Sequence, residues 1–253
     1  MTLTTWNVNS IRAHLAQTLA WVDAHEPDVL CLQELKCQDN EFPTSAFTDR
    51  GYHVATHGQK TYNGVAILSR LPLSAVERGL PDAGDPQARG ITARCGDVRV
   101  VNLYVVNGEK VSSDKYTYKL DWLDKLAPAV AARRDGPMIV CGDFNIAPAD
   151  RDVYDPAGFR DQVLCTVAER AALRRLLDLG LTDAWGGLNP TGVGYTWWDY
   201  RANGFAQDNG LRIDHHLVSA DILARAVAVS IDREARGVQG ASDHAPVTLH
   251  LVD

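Results

Sequence analysis

Two β-sheets packed face to face with helices on the outside are the architecture this 253-residue sequence predicts. Three observations lead there. Apolar runs of strand length outnumber helical patterns, the opening segment reads strand, helix, strand, and the strand-like runs repeatedly end in a polar tip. Leu3 to Asn7 is the first strand. Ile11, Leu15, Leu19 and Val22 follow at helical spacing until Pro27 stops the pattern. Val29 to Gln33 reads as a strand covered on both faces. Such a βαβ unit makes its two strands parallel, so their C-terminal ends share one sheet edge and Asn7 meets Glu34.

Val65 to Ser69, after a turn at Asn63-Gly64, and Val98 to Val105 are further strands. A second helix spans about Asp114 to Arg134, with Tyr116, Leu120, Leu123, Ala127 and Val130 on one face, a kink at Pro128 and a stop at Gly136-Pro137. Met138 to Cys141 is the strand that delivers Asp143. Thr166-Val167-Ala168-Glu169 has the form of a capping box, so a third helix starts there and ends at Gly180. The last third is short strands and turns, with Leu211 to Val218, Val227 to Ile231 and Pro246 to Leu251 as strands. Polar-tipped strands in both halves hint at a duplicated architecture.

No Ser/Gly/Pro-rich linker and no like-charge block interrupts the chain, so residues 1–253 are expected to form a single domain. A hydrophobic content of 45% suffices for a sizeable core. Met1-Thr2-Leu3-Thr4-Thr5 lacks the regions of a signal peptide, and no apolar run approaches the roughly 20 residues that span a bilayer. A cytoplasmic protein with no membrane partner is expected. Cys31, Cys37, Cys95, Cys141 and Cys165 are unpatterned, which argues for reduced thiols and against a disulfide framework or zinc site. A net charge of −7 argues against a broadly basic nucleic-acid coat, yet 25 Lys and Arg leave room for a local basic face around an acidic metal site.

The richest chemistry lies in Ile139-Val140-Cys141-Gly142-Asp143-Phe144-Asn145-Ile146-Ala147-Pro148, where an apolar run ends in a carboxylate and an amide two positions apart. The same arrangement recurs at Trp6-Asn7-Val8-Asn9, Leu30-Cys31-Leu32-Gln33-Glu34 and Arg212-Ile213-Asp214, and Ser242-Asp243-His244 opens the final strand. Carboxylates, amides and one imidazole are the inventory of a metal-assisted phosphoester hydrolase. A hard cation such as Mg²⁺ takes one or two carboxylates and keeps waters for a phosphate to displace, a role open to Glu34. Alone, Glu34 reads more readily as a solvated loop residue paired with Lys36, and Asp143 and Asn145 read equally as turn formers. Asp214 lies inside an apolar strand and needs a partner, for which His244 is the natural choice. That pairing would fix the imidazole's tautomer, raise its pKa and leave its other nitrogen to donate to a phosphate oxygen. His215 and His216 alternate faces and are assigned to packing or surface. Tyr104 is as readily an interfacial core tyrosine as a site residue. An aromatic cluster such as Trp197, Trp198 and Tyr200 is more often core than a base-stacking platform, but its place after Gly192 and Gly194 suits an exposed loop. No Walker loop, nucleophile elbow or His-Glu-x-x-His pair is present, so triphosphatase, serine hydrolase and zinc protease chemistry have no direct support.

Taken together these residues resemble the exonuclease III family of AP endonucleases, within the endonuclease/exonuclease/phosphatase superfamily. The resemblance runs nearly the whole chain in the family's order: Trp6-Asn7-Val8-Asn9, Leu32-Gln33-Glu34-Leu35-Lys36, Tyr62-Asn63-Gly64-Val65-Ala66, Gly142-Asp143-Phe144-Asn145, Trp197-Trp198-Asp199-Tyr200-Arg201, Leu211-Arg212-Ile213-Asp214 and Ser242-Asp243-His244-Ala245-Pro246. It implies a four-layer α/β sandwich of two packed mixed β-sheets flanked by helices, and it turns the hint of duplication into an expectation. It implies Glu34 as metal ligand with Asn9 and Asp243 beside it, and Asn7, Asp143 and Asn145 within the same metal set. Asp143 matches the carboxylate that orients or deprotonates the attacking water, and Asn145 the amide that holds it. His244 and Asp214 match the pair at the scissile phosphate, Asn7 and Tyr104 the phosphate contacts, Asn107 a DNA-facing group, and Trp197, Leu211 and Ile213 the pocket for a base-free deoxyribose. Asn9 stands where some relatives have aspartate, and Val106 where a proline is usual. The implied activity is Mg²⁺-dependent cleavage 5′ to an abasic site in double-stranded DNA, with Mn²⁺ as substitute. To this it adds 3′→5′ exonuclease and 3′-phosphatase action on blocked 3′ ends, carried out by a monomer. The competing readings are an RNA or small-phosphoester hydrolase of the same superfamily and a non-catalytic abasic-DNA binding module. The tryptophan and Leu211-to-Asp214 motifs weigh against the first, and carboxylates beside phosphates against the second.

Overall fold

A computed structural model of the chain describes residues 1–82 and 84–252. The βαβ unit forms as expected: β1 (Thr2–Asn7) and β2 (Val29–Gln33) are parallel, α1 (Leu15–His25) crosses between them, and Asn7 lies opposite Gln33. After α2 (Thr44–Thr48) come β3 (His53–His57), β4 (Val65–Ser69), β5 (Leu73–Arg78), β6 (Gly90–Cys95) and β7 (Val98–Tyr104). A second βαβ unit joins β7 through α3 (Asp114–Ala131) to the parallel strand β8 (Met138–Asp143). The remainder is α4 (Val167–Leu177), β9 (Thr182–Asp183), α5 (Ala184–Leu188), β10 (Trp197–Trp198), β11 (Gly210–Leu211), β12 (Asp214–Val218), α6 (Ala220–Leu223), β13 (Ala226–Ile231), α7 (Arg233–Gly237) and β14 (Val247–Leu251).

Two six-stranded mixed sheets result, ordered β13-β14-β1-β2-β4-β3 and β5-β6-β7-β8-β12-β9. Read in those orders, both follow one pattern of pairings: antiparallel, antiparallel, parallel, antiparallel, antiparallel. The duplication is therefore real at the level of topology.

Period-two alternation assigns each strand residue to a layer. Leu3, Val29, Cys31 and Ile67 meet Ile91, Val100, Ile139 and Cys141 between the sheets, while Trp6, Leu30 and Leu32 turn outward to Trp21 and Val22 of α1. On the opposite outer face Val101, Leu103 and Val140 pack on Trp122, Leu123 and Leu126 of α3 and Leu173 and Leu176 of α4. The inter-sheet layer also holds one amide pair with no exposure. Gln33 Nε2 donates to Asn102 Oδ1 at 2.7 Å, and Asn102 Nδ2 donates to the carbonyls of Leu32 at 2.9 Å and Ala66 at 2.8 Å. All five cysteines are free and buried, and among the described residues no helix is long and apolar enough to cross a membrane.

Several elements depart from expectation. β3, β5 and β6 lacked an apolar pattern, β5 because most of its residues face outward. Helix α3 ends at Ala131 and runs through Pro128, and its buried stripe contains Lys119, fully enclosed, while Leu120 is only half-buried. Tyr116, Lys119 and Leu123 satisfy helical spacing as well as the stripe through Leu120 does, and a lysine with enough buried partners can take the inner position. The strand expected from Leu211 to Val218 is broken. β11 pairs with β10 in a separate ribbon, and the Thr196 hydroxyl, accepting from the backbone of Ile213 and Asp214 at 3.1 Å each, holds the break. In the aromatic cluster only Tyr200 is exposed. Trp198 is wholly buried, edge-on to Phe205 and donating to Asp208 at 3.0 Å.

His216, on β12, is buried, and loss of hydration pushes its pKa down to about 3. A depressed histidine contributes stability that is complete above about pH 6.5 and is lost as pH falls, because only the unfolded chain takes up the proton. Replacing it with leucine should flatten the decline of urea-unfolding free energy between pH 6.5 and 4 by up to about 1.4 kcal/mol per pH unit. An unchanged slope would show that the buried imidazole accepts protons in the native state.

Candidate active site

The C-terminal ends of β1, β2, β7 and β8 and the N-terminal end of β12 meet at one edge of the sandwich, beside the segment entering β14. Asn7, which has no exposed surface, links the two sheets there: its Nδ2 donates to Glu34 Oε1 at 2.9 Å and to Asp143 Oδ2 at 3.0 Å. Gly142 lets β8 reach this edge, since with φ of 134° a Cβ would stand 2.0 Å from the Leu103 carbonyl oxygen. Asp143 then folds back on its own turn, accepting from Asn145 N at 2.9 Å through Oδ1 and from Asn145 Nδ2 at 3.2 Å through Oδ2. The turn-forming and site readings of this pair thus describe one geometry.

Asp214 lies directly opposite Asp143 across the antiparallel β8–β12 ladder, two buried carboxylates where like charges repel. His244 lies between them. Its Nδ1 is 2.9 Å from Asp214 Oδ2 and its Nε2 3.7 Å from Asp143 Oδ2, and Asp214 also accepts from Thr196 Oγ1 at 2.6 Å. Burial opposes a charge on His244, but Asp214 and Asp143 outweigh it and hold the imidazole pKa up at about 10. Burial likewise lifts Asp143 to about 7, with Asp214 and Glu34 adding to the rise and His244 and Asn7 opposing it. Burial also raises Tyr104, aided by Glu34 and Asp143, so its hydroxyl keeps its proton. For Glu34 burial loses: Lys36, at 2.9 Å, and Asn7 hold the carboxyl below its usual range.

The donor set fits a hard cation. An ammonium, that of Lys36, already rests between Glu34 Oε2 and Asn9 Oδ1, and Asp243 accepts from Asn9 Nδ2 at 3.2 Å and Trp197 Nε1 at 2.9 Å. Asp143, Asp214 and His244 also offer ligand atoms within 4.8 Å of one another. A charged imidazole is a poor ligand, however, and the hard oxygens of Glu34, Asp143 and Asp243 suit a divalent ion better. Asn7 and Asn145 present N–H groups to the carboxylates, while their side-chain oxygens accept from Asn9 N at 3.0 Å and Asn107 Nδ2 at 2.9 Å.

A cavity of about 520 Å³ opens over this edge. Glu34, Tyr104, Asn107, Asp143, Asn145, Asp243 and His244 form its polar floor, and Phe159, Val163, Leu164, Trp197 and Ile213 an apolar wall. Asn7, Asn9 and Asp214 lie outside the lining and act through neighbours. Leu211 does not line it. Fully buried, it pairs with Trp197 across the β10–β11 ribbon and packs behind the wall with Val153 and Leu164, which cover it from the cavity. Sequence reasoning missed Phe159, Gln162, Val163, Leu164 and Arg201, which line the cavity from turns and, for Arg201, a single 3-10 turn, where no periodicity marks a face.

The endonuclease/exonuclease/phosphatase family matches residues 4–244. The chain is 37% identical over 262 residues to exodeoxyribonuclease III of Haemophilus influenzae, with 98% of each covered. It is 32% identical to the DNA repair nuclease APEX1 of Danio rerio, spanning 99% of this chain and 82% of that one. Among solved structures, a 3′ phosphatase from Neisseria bound to a product DNA hairpin superposes with a TM-score of 0.98 at 45% identity, covering all of both chains. An AP endonuclease from Archaeoglobus fulgidus gives 0.97 at 34%, again over both full chains.

In the metal-free protein the raised His244 pKa should be visible directly. Side-chain NMR is expected to show its imidazole charged at pH 8 and titrating near 10, and Asp214→Asn should lower that midpoint well below the parent's. The stabilisation from this raised pKa is complete below about pH 6.5 and is lost as pH rises through 10. A midpoint near 6.5 in the parent would remove the charge-sandwich account.

Proposed function

The chain belongs to the endonuclease/exonuclease/phosphatase family, and we propose that it is a Mg²⁺-dependent DNA repair nuclease that hydrolyses the phosphodiester 5′ to abasic sites and cleans 3′ ends. One observation carries the reading: a buried carboxylate, Asp143, is held by two amides and a charged imidazole at the floor of a cavity with an apolar wall. Asp143 takes or orients a proton of the attacking water. His244, fixed by Asp214, donates to a phosphate oxygen, Tyr104 donates from the strand beside Asp143, and Asn7 and Asn145 keep Asp143 in line. The new bond joins water oxygen to phosphorus and the P–O3′ bond breaks, leaving a 3′-hydroxyl. Glu34, with Asp143, Asp243 and Asn9 near it, would hold the divalent ion, which when bound offsets charge on the phosphate oxygens. Asn107 faces the DNA, and Trp197 and Ile213 form the wall against which a base-free sugar packs. Removal of a 3′ phosphate uses the same groups on a terminal phosphomonoester.

The reading takes residues 1–253 as one catalytic domain acting as a monomer. A single apolar layer shared by both sheets supports that division, and five free cysteines suit the reducing cytoplasm.

EDTA should abolish incision of an abasic duplex and release of phosphate from a 3′-phosphorylated hairpin, and added Mg²⁺ should restore both. Glu34→Gln is expected to shift the Mg²⁺ activation curve upward by roughly 10–100-fold with the thermal midpoint unchanged, whereas an unshifted curve would free Glu34 from the metal. Trp197→Ala should depress abasic incision far more than hydrolysis of a small phosphodiester. Equal loss of both together with a lowered midpoint would mark it as a core residue.

A further inference from the structure

We infer that Lys119 is a positioning residue, clamping the three loops that wall the proposed active site into one unit; the inference rests on the nuclease reading. Its side chain has no exposed surface, and its ammonium has three partners for three N–H bonds: Asn145 O at 2.8 Å, Asn107 O at 3.1 Å and Glu169 Oε1 at 2.5 Å. Each partner governs a different loop. Asn107 follows β7, and Asn145 follows β8 at a φ of 49° with its amide on Asp143. Glu169, also without exposed surface, accepts in addition from Leu164 N at 3.0 Å, Thr166 N at 2.9 Å and Thr166 Oγ1 at 2.7 Å, so it anchors the loop that ends at Leu164. Asn107, Asn145 and Leu164 all line the cavity. Gly108, with φ of 94°, completes the fit: a Cβ there would stand 3.2 Å from Lys119 Cδ and 3.0 Å from Val163 Cγ2, so the bare backbone lets the first loop lie on the lysine stem.

Stability alone does not call for this arrangement. Replacing a buried ion pair with apolar residues of similar volume is often neutral or stabilising, whereas a charge left without its partner is strongly unfavourable. A lysine in the apolar stripe of α3 makes sense where the carbonyls it holds must keep one geometry. Displacements of about 1 Å at such groups reduce turnover by up to roughly a hundredfold. Lys119 touches no substrate on this account. It acts through the Asn145 peptide on Asp143, and through Asn107 and Leu164 on the walls.

The test compares the parent with Lys119→Met/Glu169→Met, which removes both charges together, and with Glu169→Gln, which keeps the shape and releases the charge. Leu249→Ala, buried on β14 away from the edge, supplies a destabilised control. Thermal midpoint, kcat and KM on the 3′-phosphorylated hairpin, and hydrogen exchange of peptides covering residues 105–109, 144–149 and 161–166 are measured for all four. The double variant is expected to keep its midpoint within a few degrees of the parent or above the control, to exchange faster in those three segments, and to lose roughly tenfold or more in kcat with a raised KM. Glu169→Gln leaves the Lys119 ammonium on its two carbonyls without a counter-charge, so it should lower the midpoint more than the double variant while showing the same signs in exchange, kcat and KM, and it decides the matter if the double variant does not fold. Parent-like kcat and KM despite faster exchange, or an equal kcat loss in Leu249→Ala at a matched midpoint, would overturn the inference. An inactive parent would instead overturn the nuclease reading, while the exchange data still report on the clamp.

Discussion

The buried amide pair Gln33–Asn102 fixes how the two sheets sit on each other. An amide buried without partners costs a few kcal/mol, and an apolar interface alone tolerates sliding because dispersion is non-directional. Only one lateral setting lets Asn102 reach both Leu32 and Ala66 while Gln33 reaches Asn102. Glu34 follows Gln33 immediately, and Tyr104 stands two residues beyond Asn102. The same contact that registers the sheets therefore sets the distance between the polar tips of one sheet and those of the other, and Asn7 can span them with a single nitrogen.

That spacing forces an electrostatic problem on the edge. Asp143 meets Asp214 within its own sheet and Glu34 from the other, and burial of these carboxylates disfavours their charges. The strain is relieved in two directions, by the His244 imidazolium from within and by the Lys36 ammonium at the rim. On the proposed reading Glu34 would hold a divalent ion where Lys36 now neutralises it, and the Lys36 ammonium would then be available to the phosphates of a bound strand. A net charge of −7 is then no obstacle to DNA, because the charges that matter are local.

Much of this was legible in the sequence where periodicity and chain order carry information. The first βαβ unit puts Asn7 beside Glu34, the capping form of Thr166 to Glu169 marks the start of α4, and the discomfort of a carboxylate in an apolar run pairs Asp214 with His244. Legibility failed where long-range partners decide. Lys119 looks like an outward residue until Glu169 and two loop carbonyls are known, and Leu211 looks like pocket wall until its packing under Val153 and Leu164 is known. The cavity wall from Phe159 to Leu164 belongs to a run of local turns with no apolar period to mark a face, and its tie to the site, Ala147 N donating to the Leu164 carbonyl, is a long-range bond.

The matching strand orders of the two sheets have a consequence for direction. By register, Asn7, Gln33 and Val65 occupy in one sheet the seats that Tyr104, Asp143 and Asp214 occupy in the other. The backbone at the seam thus repeats one pairing pattern in both sheets, and a repeated frame by itself does not distinguish the two halves. The side chains break the tie: one set of seats carries a tyrosine and two carboxylates, its counterpart two amides and a valine. On the proposed reading, the polarity with which a DNA strand is taken up, and hence which of its phosphate–oxygen bonds is cut, is written in that handful of non-equivalent side chains laid over a duplicated scaffold.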